Sequence, residues 1–123
     1  MDAALWFRWS RIYAREYIGF YFNVRIAGRV DNPPGGQARG IEAHFDNTAF
    51  RLDAVGIRPD HYDIIEFRGR AGVGALGAVL AYERLFLREA SDFRPTQKII
   101  VTEVLNPELW LIYRQFNVRV DVV

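Results

Sequence analysis

The 123 residues suffice for one domain with one core, and half of them are hydrophobic while a quarter are charged, as in a soluble globular protein. The absence of cysteine excludes disulfides, thiol catalysis and cysteine-ligated zinc, and a net charge of +1 does not by itself indicate nucleic-acid binding. No apolar run approaches the roughly 20 residues that span a bilayer, and the N-terminus lacks a secretory signal pattern. We predict a single domain over residues 1–123, without a membrane partner, in the cytoplasm of a cell or infected cell or in a virus particle.

The N-terminal segment is predicted to form a helix over residues 2–18, with Asp2 suited to cap it. It is unusually aromatic, and a core-facing stripe covers only part of a helix, so some rings should remain exposed. Aromatic side chains are favoured at the centres of protein interfaces. The helix is therefore predicted either to cover a sheet or to contact a protein partner or a second copy of the chain. The rings of that candidate interface are Trp6, Phe7, Trp9, Tyr13 and Tyr17.

The next segments predict a strand, a long loop and a hairpin. Residues 20–26 are typical of a strand, whereas residues 28–40 hold a Pro- and Gly-rich loop insertion that excludes regular structure. Residues 41–45 add a short strand or helical turn. Residues 50–57 and 62–68 alternate as strands around the turn-forming sequence Arg58-Pro59-Asp60-His61.

The second half alternates helices with strands. Residues 69–72 are glycine-rich and are expected to end the strand, and a helix is predicted over residues 73–90. A buried strand follows at residues 98–104, then a helix that Asn106-Pro107-Glu108 begins and that carries residues 109–115, then a strand at residues 118–122. The order αβββαβαβ predicts an α/β fold with a mixed sheet and helices on both faces.

The hairpin gathers four charged residues. If Ile57 pairs with Tyr62, Asp53 lies opposite Glu66 and Arg51 lies opposite Arg68, and strand alternation directs all four side chains to one face. Two carboxylates at that separation repel each other unless a divalent cation or a cationic side chain lies between them. The pattern leaves both solutions open, because Arg51 is diagonal to Glu66 and Arg68 is diagonal to Asp53.

This constellation resembles the restriction-endonuclease-like, or PD-(D/E)xK, nuclease superfamily. The resemblance covers most of the chain and implies an αβββαβ core. It places Asp53 at the metal-binding aspartate, Glu66 at the second acid and Arg68 at the lysine position. If the site is intact, it implies Mg²⁺-dependent cleavage of DNA or RNA, as in enzymes of phages and mobile elements. Asp53 and Glu66 would then hold Mg²⁺, and Arg68 would clamp a phosphate oxygen.

Two departures from the family pattern count against activity. Arginine at position 68 cannot lose a proton, although the chain is so rich in arginine that Lys98 is its only lysine. Residues 75–79, where many relatives carry a polar side chain, are wholly apolar. We therefore predict a degenerate member without a cofactor, with the intact nuclease as the alternative. The degenerate member would bind a protein partner or nucleic acid, or assemble with others, for example as a subunit of a phage or virus particle.

One further motif is present. Gly72, Gly74 and Gly77 match the dinucleotide pattern G-x-G-x-x-G at a strand-to-helix junction. The chain lacks the repeated βαβ units of dinucleotide-binding folds, so we predict no dinucleotide cofactor and expect the glycines to allow close helix–sheet packing. Exposed amides at that helix start could hold a phosphate with help from Arg70, and Arg51 is a second candidate for phosphate binding.

Overall fold

A computed structural model of the chain describes residues 1–26, 50–90, 92 and 94–123. The elements in chain order are α1 (Ala3–Tyr13), a 3-10 turn (Ala14–Glu16), β1 (Gly19–Arg25), β2 (Arg51–Ile57), β3 (Tyr62–Ala71), α2 (Val73–Glu89), β4 (Thr96–Leu105), α3 (Pro107–Gln115) and β5 (Val118–Val122). This confirms the predicted order αβββαβαβ. The predicted loop insertion at 28–40 and the short element at 41–45 lie outside the described residues.

The five strands form one sheet in the order β1-β2-β3-β4-β5. The first three strands are antiparallel, whereas β3, β4 and β5 run parallel. Parallel neighbours need a crossover, and α2 and α3 supply the two crossovers in turn. The predicted mixed sheet is therefore confirmed. Within the described residues, no helix is long and apolar enough to cross a membrane.

Two separate cores show that helices cover both faces of the sheet. The α2-side core joins Ile64 and Ile100 of the sheet to Val79 of α2 and Tyr113 of α3, all of them buried. The Tyr113 hydroxyl also donates a hydrogen bond to the Gly72 carbonyl at 2.7 Å, which ties α3 to the start of α2. Burying each large side chain of this kind contributes roughly 1.5–3 kcal/mol.

The α1-side core is built on the aromatic rings of α1. Trp9 is fully buried against Phe67, and its Nε1–H donates to Asp121 Oδ2 at 2.8 Å. Trp6 packs edge-on against Phe20 at 5.0 Å between ring centroids, and Tyr13 stacks on Trp9. These contacts anchor α1 on the sheet.

This packing matches the first of the two roles predicted for the helix, which is to cover a sheet. Trp9 has no exposed surface with which to contact a partner, and Trp6, Tyr13 and Tyr17 are only partly exposed. Phe7 projects outward, with 60% of its surface exposed. The rings are buried because Asp121 accepts the indole N–H and the sheet offers aromatic neighbours, so most of the aromatic density belongs to the core.

Two local predictions about glycines are wrong. The strand does not end at Gly69, because β3 continues to Ala71, where parallel pairing with Leu105 of β4 holds it. Gly74 and Gly77 do not permit close packing either, since a Cβ built at either position meets no described atom within 4 Å. The helix start at Val73 follows from the end of the strand and from Gly72 at the cap position.

Candidate functional site

The two acids predicted to face each other lie across the β2–β3 hairpin. Ile57 pairs with Tyr62 and Ala54 with Ile65, so the predicted register is confirmed. The regular ladder ends at Ala54, and the next two opposing residues in the register are Asp53 and Glu66. The site therefore begins where regular pairing of β2 and β3 stops.

Each acid accepts a backbone hydrogen bond from the opposite strand. The Asp53 N–H donates to Glu66 Oε1 at 3.0 Å, and the Phe67 N–H donates to Asp53 Oδ2 at 2.9 Å. In a regular antiparallel pair such donors bond main-chain carbonyls. Here the carboxylates replace the carbonyls, which fixes both side chains and satisfies one oxygen of each. Asp53 Oδ1 and Glu66 Oε2 remain for other partners.

The side-chain alternation of β1 is interrupted at Asn23, next to this site, so that the residues on either side of Asn23 face opposite sides of the sheet. Phe22 contacts Trp6 on the α1 side, whereas Val24, two residues later, packs in the α2-side core. Asn23 lies between them with a φ of 51°, in the left-handed region that asparagine tolerates better than most residues. One residue in this conformation lets β1 change side without losing its register with β2.

The neighbouring strand β2 shows the same change at Asp53. Leu52 and Val55 both pack in the α2-side core, although strict alternation would separate residues three positions apart. Because Leu52 lies on the α2 side, Arg51 before it points to the opposite side. Within the described part of the chain, Arg51 makes no ion pair. The predicted ion pair of Arg51 with Glu66 is therefore wrong, and the four charged residues do not share one face.

Two cations lie near the remaining carboxylate oxygens. Arg68 Nη2 is 3.4 Å from Glu66 Oε2 on the same strand, so Arg68 pairs with Glu66 and not, as predicted, with Asp53. The side chain of Arg68 is 42% exposed, and a contact that long and that open is weak. The α-amino group of Met1 lies 3.7 Å from Asp53 Oδ1.

Glu66 is the more strongly perturbed acid. Its residue surface is only 2% exposed, and burial raises the pKa of its carboxyl to about 7. The N–H donated by Asp53 lowers the pKa, the charge of Asp53 raises it, and Arg68 lowers it. The raised pKa favours the protonated carboxyl more than in an exposed glutamate. A cation beside it would favour the ionised form.

Tyr82 on α2 is a site residue that the sequence analysis missed. Burial raises the pKa of its hydroxyl and the charge of Glu66 raises it further, which places Tyr82 within electrostatic range of the acids. The predicted apolar stretch 75–79 ends at buried Val79, and Tyr82 lies three residues later on the same side of the helix. That i, i+3 spacing was the available signal.

The donor set suits one hard cation. Within the described residues, no group of three or more His, Cys, Asp or Glu side chains is placed to hold a metal ion, so a zinc-type site is not formed there. Mg²⁺ is usually bound by one or two carboxylates together with water and phosphate oxygens. Asp53 Oδ1 and Glu66 Oε2 are carboxylate oxygens of the type that Mg²⁺ prefers.

A second buried acid, Asp63, closes the other end of the hairpin. It accepts hydrogen bonds from the Tyr17 hydroxyl at 2.6 Å and from Arg58 Nε at 2.9 Å, and His61 Nε2 lies 3.1 Å from its Oδ1. Burial, reinforced by the bond to Asp63, raises the pKa of Tyr17. His61 also contacts Asp60 through Nδ1 at 2.7 Å. The predicted interface residue Tyr17 is thus part of a network that holds the hairpin turn.

Arg70, the other predicted phosphate ligand, lies apart from Arg51. It is exposed near the end of β3 and lines a cleft with Gly72 at the start of α2 and with Asn106 and Pro107 at the start of α3. Asn106 Oδ1 already accepts the Glu108 N–H at 2.9 Å. The structure therefore places Arg51 and Arg70 in different surroundings.

Comparison with known proteins shows a likeness of fold. No protein-family model matches the sequence, and no curated protein matches it. A repair endonuclease from Pyrococcus abyssi has a similar structure, with a TM-score of 0.51 and 12% sequence identity. The match covers 76% of this chain and 49% of the endonuclease, so this chain spans about half the length of that protein. The protein therefore has a nuclease-like α/β fold.

Proposed function

We propose that the protein is a Mg²⁺-dependent phosphodiesterase that acts on nucleic acid, with Asp53 and Glu66 as the cation ligands. The observation that carries this proposal is the reciprocal bonding of the two acids. Each is fixed by a backbone N–H of the opposite strand, and its second oxygen is approached by only one long contact with a cation. The likeness to a repair endonuclease supports the choice of a phosphodiester substrate.

The charge balance of the site favours a cation. Neutralisation by two arginines is not found, because Arg51 points away and Arg68 makes one contact at 3.4 Å. The two cations near the acids, Arg68 and the α-amino group of Met1, make only long contacts of 3.4 and 3.7 Å, and we propose that a divalent cation displaces them. The pKa of Glu66 is raised to about 7, so the isolated pair resists carrying both charges, and a divalent ion would stabilise the doubly ionised form.

The remaining groups have roles that suit phosphate chemistry. When bound, Mg²⁺ would supply an activated water and neutralise charge on the phosphate. Arg68 is permanently charged and partly exposed, so it would contact a phosphate oxygen and stabilise the charge that develops there. Tyr82 would offer a neutral hydroxyl beside the acids, because its pKa is raised.

A second candidate function is binding without catalysis, for example in a larger assembly such as a virus particle. The observation that favours it is the contact between Arg68 and Glu66. In this contact the guanidinium lies beside Glu66 Oε2, one of the two oxygens proposed to bind the cation. A degenerate site of this kind would keep the nuclease-like fold and serve as a scaffold for a protein or nucleic-acid partner.

Cleavage assays test the proposal. The purified chain is incubated with single- and double-stranded DNA and with RNA, in Mg²⁺, in Mn²⁺ and in EDTA. We expect metal-dependent cleavage that Asp53→Asn and Glu66→Gln each reduce by about a hundredfold or more, because each variant keeps an acceptor oxygen but removes a ligand charge. Glu103→Gln is the matched control, since Glu103 is an exposed acid that pairs with Arg8 on the α1 side. No cleavage of any substrate with either metal contradicts the proposal.

Binding of Mn²⁺ by calorimetry separates the two candidates. If the proposal holds, the wild type binds Mn²⁺, and Arg68→Ala binds it several-fold more tightly, because a neighbouring positive charge is removed, but loses cleavage. If Arg68 keeps the site closed, the wild type does not bind Mn²⁺, and Arg68→Ala gains binding without cleavage.

A further inference from the structure

We infer that two copies of this chain associate through the free edge of β5, with α3 beside it, to form a twofold-symmetric dimer with a continuous sheet. This inference is independent of the metal site. It rests on three features of the C-terminal part of the chain: an open strand edge, a charge pattern that is complementary to itself, and a helix that exposes apolar side chains.

Among the described residues, the outer edge of β5 has main-chain groups that no other strand pairs. β5 is the last strand of the sheet order, and no other described strand pairs with it besides β4. The Val123 N–H donates to the Thr102 carbonyl at 2.9 Å and therefore points towards β4. Because successive residues of a strand direct these groups to opposite sides, the N–H and C=O of Val118, Val120 and Val122 point outward. Val122 is 56% exposed, and β5 contains neither proline nor lysine to block pairing.

The charges of β5 favour pairing with β5 of a second copy in one register. In an antiparallel pair centred on Val120, Arg119 of one copy lies opposite Asp121 of the other, and the same contact occurs twice. Shifting the centre by one residue places arginine opposite arginine or aspartate opposite aspartate, and such like-charge pairs are unfavourable. Parallel pairing in register also aligns like charges. Within one chain, Arg119 Nε and Nη2 already bond Asp121 at 3.1 and 2.9 Å, and Asp121 is only 8% exposed, so Arg119 is the member of the pair that can also reach the second copy.

The exposed surface of α3, the helix beside this edge, is unusually apolar. α3 packs against the core through buried Tyr113, yet it leaves four large apolar side chains exposed. Leu111 is 57% exposed, and the other three are Trp110, Ile112 and Phe116. A twofold axis through β5 places both α3 helices on the same side of the joined sheet, where these residues can be covered. Such an isologous interface is the commonest kind in soluble oligomers.

Analytical ultracentrifugation of the purified chain from about 1 to 200 µM tests this inference. We expect a species with twice the 14.2 kDa mass of the chain. Val122→Lys and Leu111→Glu should each weaken the association about tenfold or more, because each introduces a charge at the joint. Ile12→Glu is the matched control, because Ile12 is an apolar residue on α1 with a similar exposure of 54%, and this variant should leave the mass unchanged. A monomer at every concentration, or a dimer insensitive to both variants, refutes the inference.

The lack of native cysteine allows a test of register. In the proposed pair the two Val120 residues face each other as a hydrogen-bonded pair, with Cα atoms about 5.5 Å apart, within the range that a disulfide spans. Mild oxidation of Val120→Cys should therefore give a covalent dimer, and Tyr21→Cys on the opposite edge strand should not. If Tyr21→Cys crosslinks and Val120→Cys does not, the joint lies at β1 and our assignment is wrong.

Discussion

Replacing Glu66 by glutamine should stabilise the protein at alkaline pH. The pKa of the carboxyl rises from its ordinary value of 4.5 to about 7 in the folded chain, mainly because it is buried. The folded state therefore binds more protons than the unfolded state between these values. Stability is fully present below about pH 4.5, falls as the pH rises through this window, and levels off above about pH 7.

The size of the effect follows from the shift. At 1.36 kcal/mol per pKa unit, the wild type loses about 3 kcal/mol of unfolding free energy across the window, as an upper limit. Glutamine stays neutral and can still accept the Asp53 N–H through its Oε1, while the weak contact with Arg68 is lost. We therefore expect Glu66→Gln to be about 1–3 kcal/mol more stable than the wild type near pH 8, and to gain nothing near pH 5.

Urea denaturation of both proteins between about pH 5 and pH 8, with EDTA present, measures this difference. Subtracting the two curves removes groups that titrate in both proteins. Glu103→Gln serves as the control, because it makes the same substitution at an acid that is exposed and not buried. Adding Mg²⁺ at pH 8 should stabilise the wild type and leave Glu66→Gln unchanged. If the wild type and Glu66→Gln differ equally at both ends of the pH range, the reasoning about a buried, perturbed carboxyl is wrong.

Two further predictions concern the backbone around the site. Gly56→Ala should destabilise the protein by about 1–3 kcal/mol in denaturant titrations, because the new Cβ would clash with Cε1 of Tyr17, whose ring is held by its bond to Asp63. Unchanged stability would show that Tyr17 moves freely. Asn23→Ala should cost about 1 kcal/mol because of the positive φ, whereas Asn23→Gly should be tolerated; equal effects of the two variants would contradict the conformation at Asn23.

The sequence predicted the element order and the hairpin register well, because both depend on local signals. The turn at residues 58–61 fixes the pairing of Ile57 with Tyr62, and the cap at Asn106 with Pro107 fixes the start of α3. These signals act over a few residues and need no tertiary contact. The end of β3 was mispredicted, because pairing with β4, more than 30 residues away in the chain, outweighs the glycine at position 69.

The site was predicted less completely, because its geometry depends on a break in strand alternation. The meeting of Asp53 and Glu66 follows from register alone. The position of Arg51 on another face does not follow from register. It requires the side-chain alternation of β1 and β2 to break together, at Asn23 and at Asp53. An asparagine inside the apolar strand 20–26 was the available hint. The partner of Arg68 depends on rotamers, which no sequence pattern specifies.

Two acids on one central strand, Asp63 and Glu66, also protect the fold against misalignment. They are buried, and their odd spacing directs them to opposite layers of the protein. A slip of β3 by one residue would move Asp63 away from Arg58 and Tyr17, and would drive Glu66 into the aromatic layer under α1. An unpaired buried carboxylate costs several kcal/mol. The two buried acids therefore make a shifted register of β3 unfavourable, whereas a wholly apolar strand would carry no such penalty.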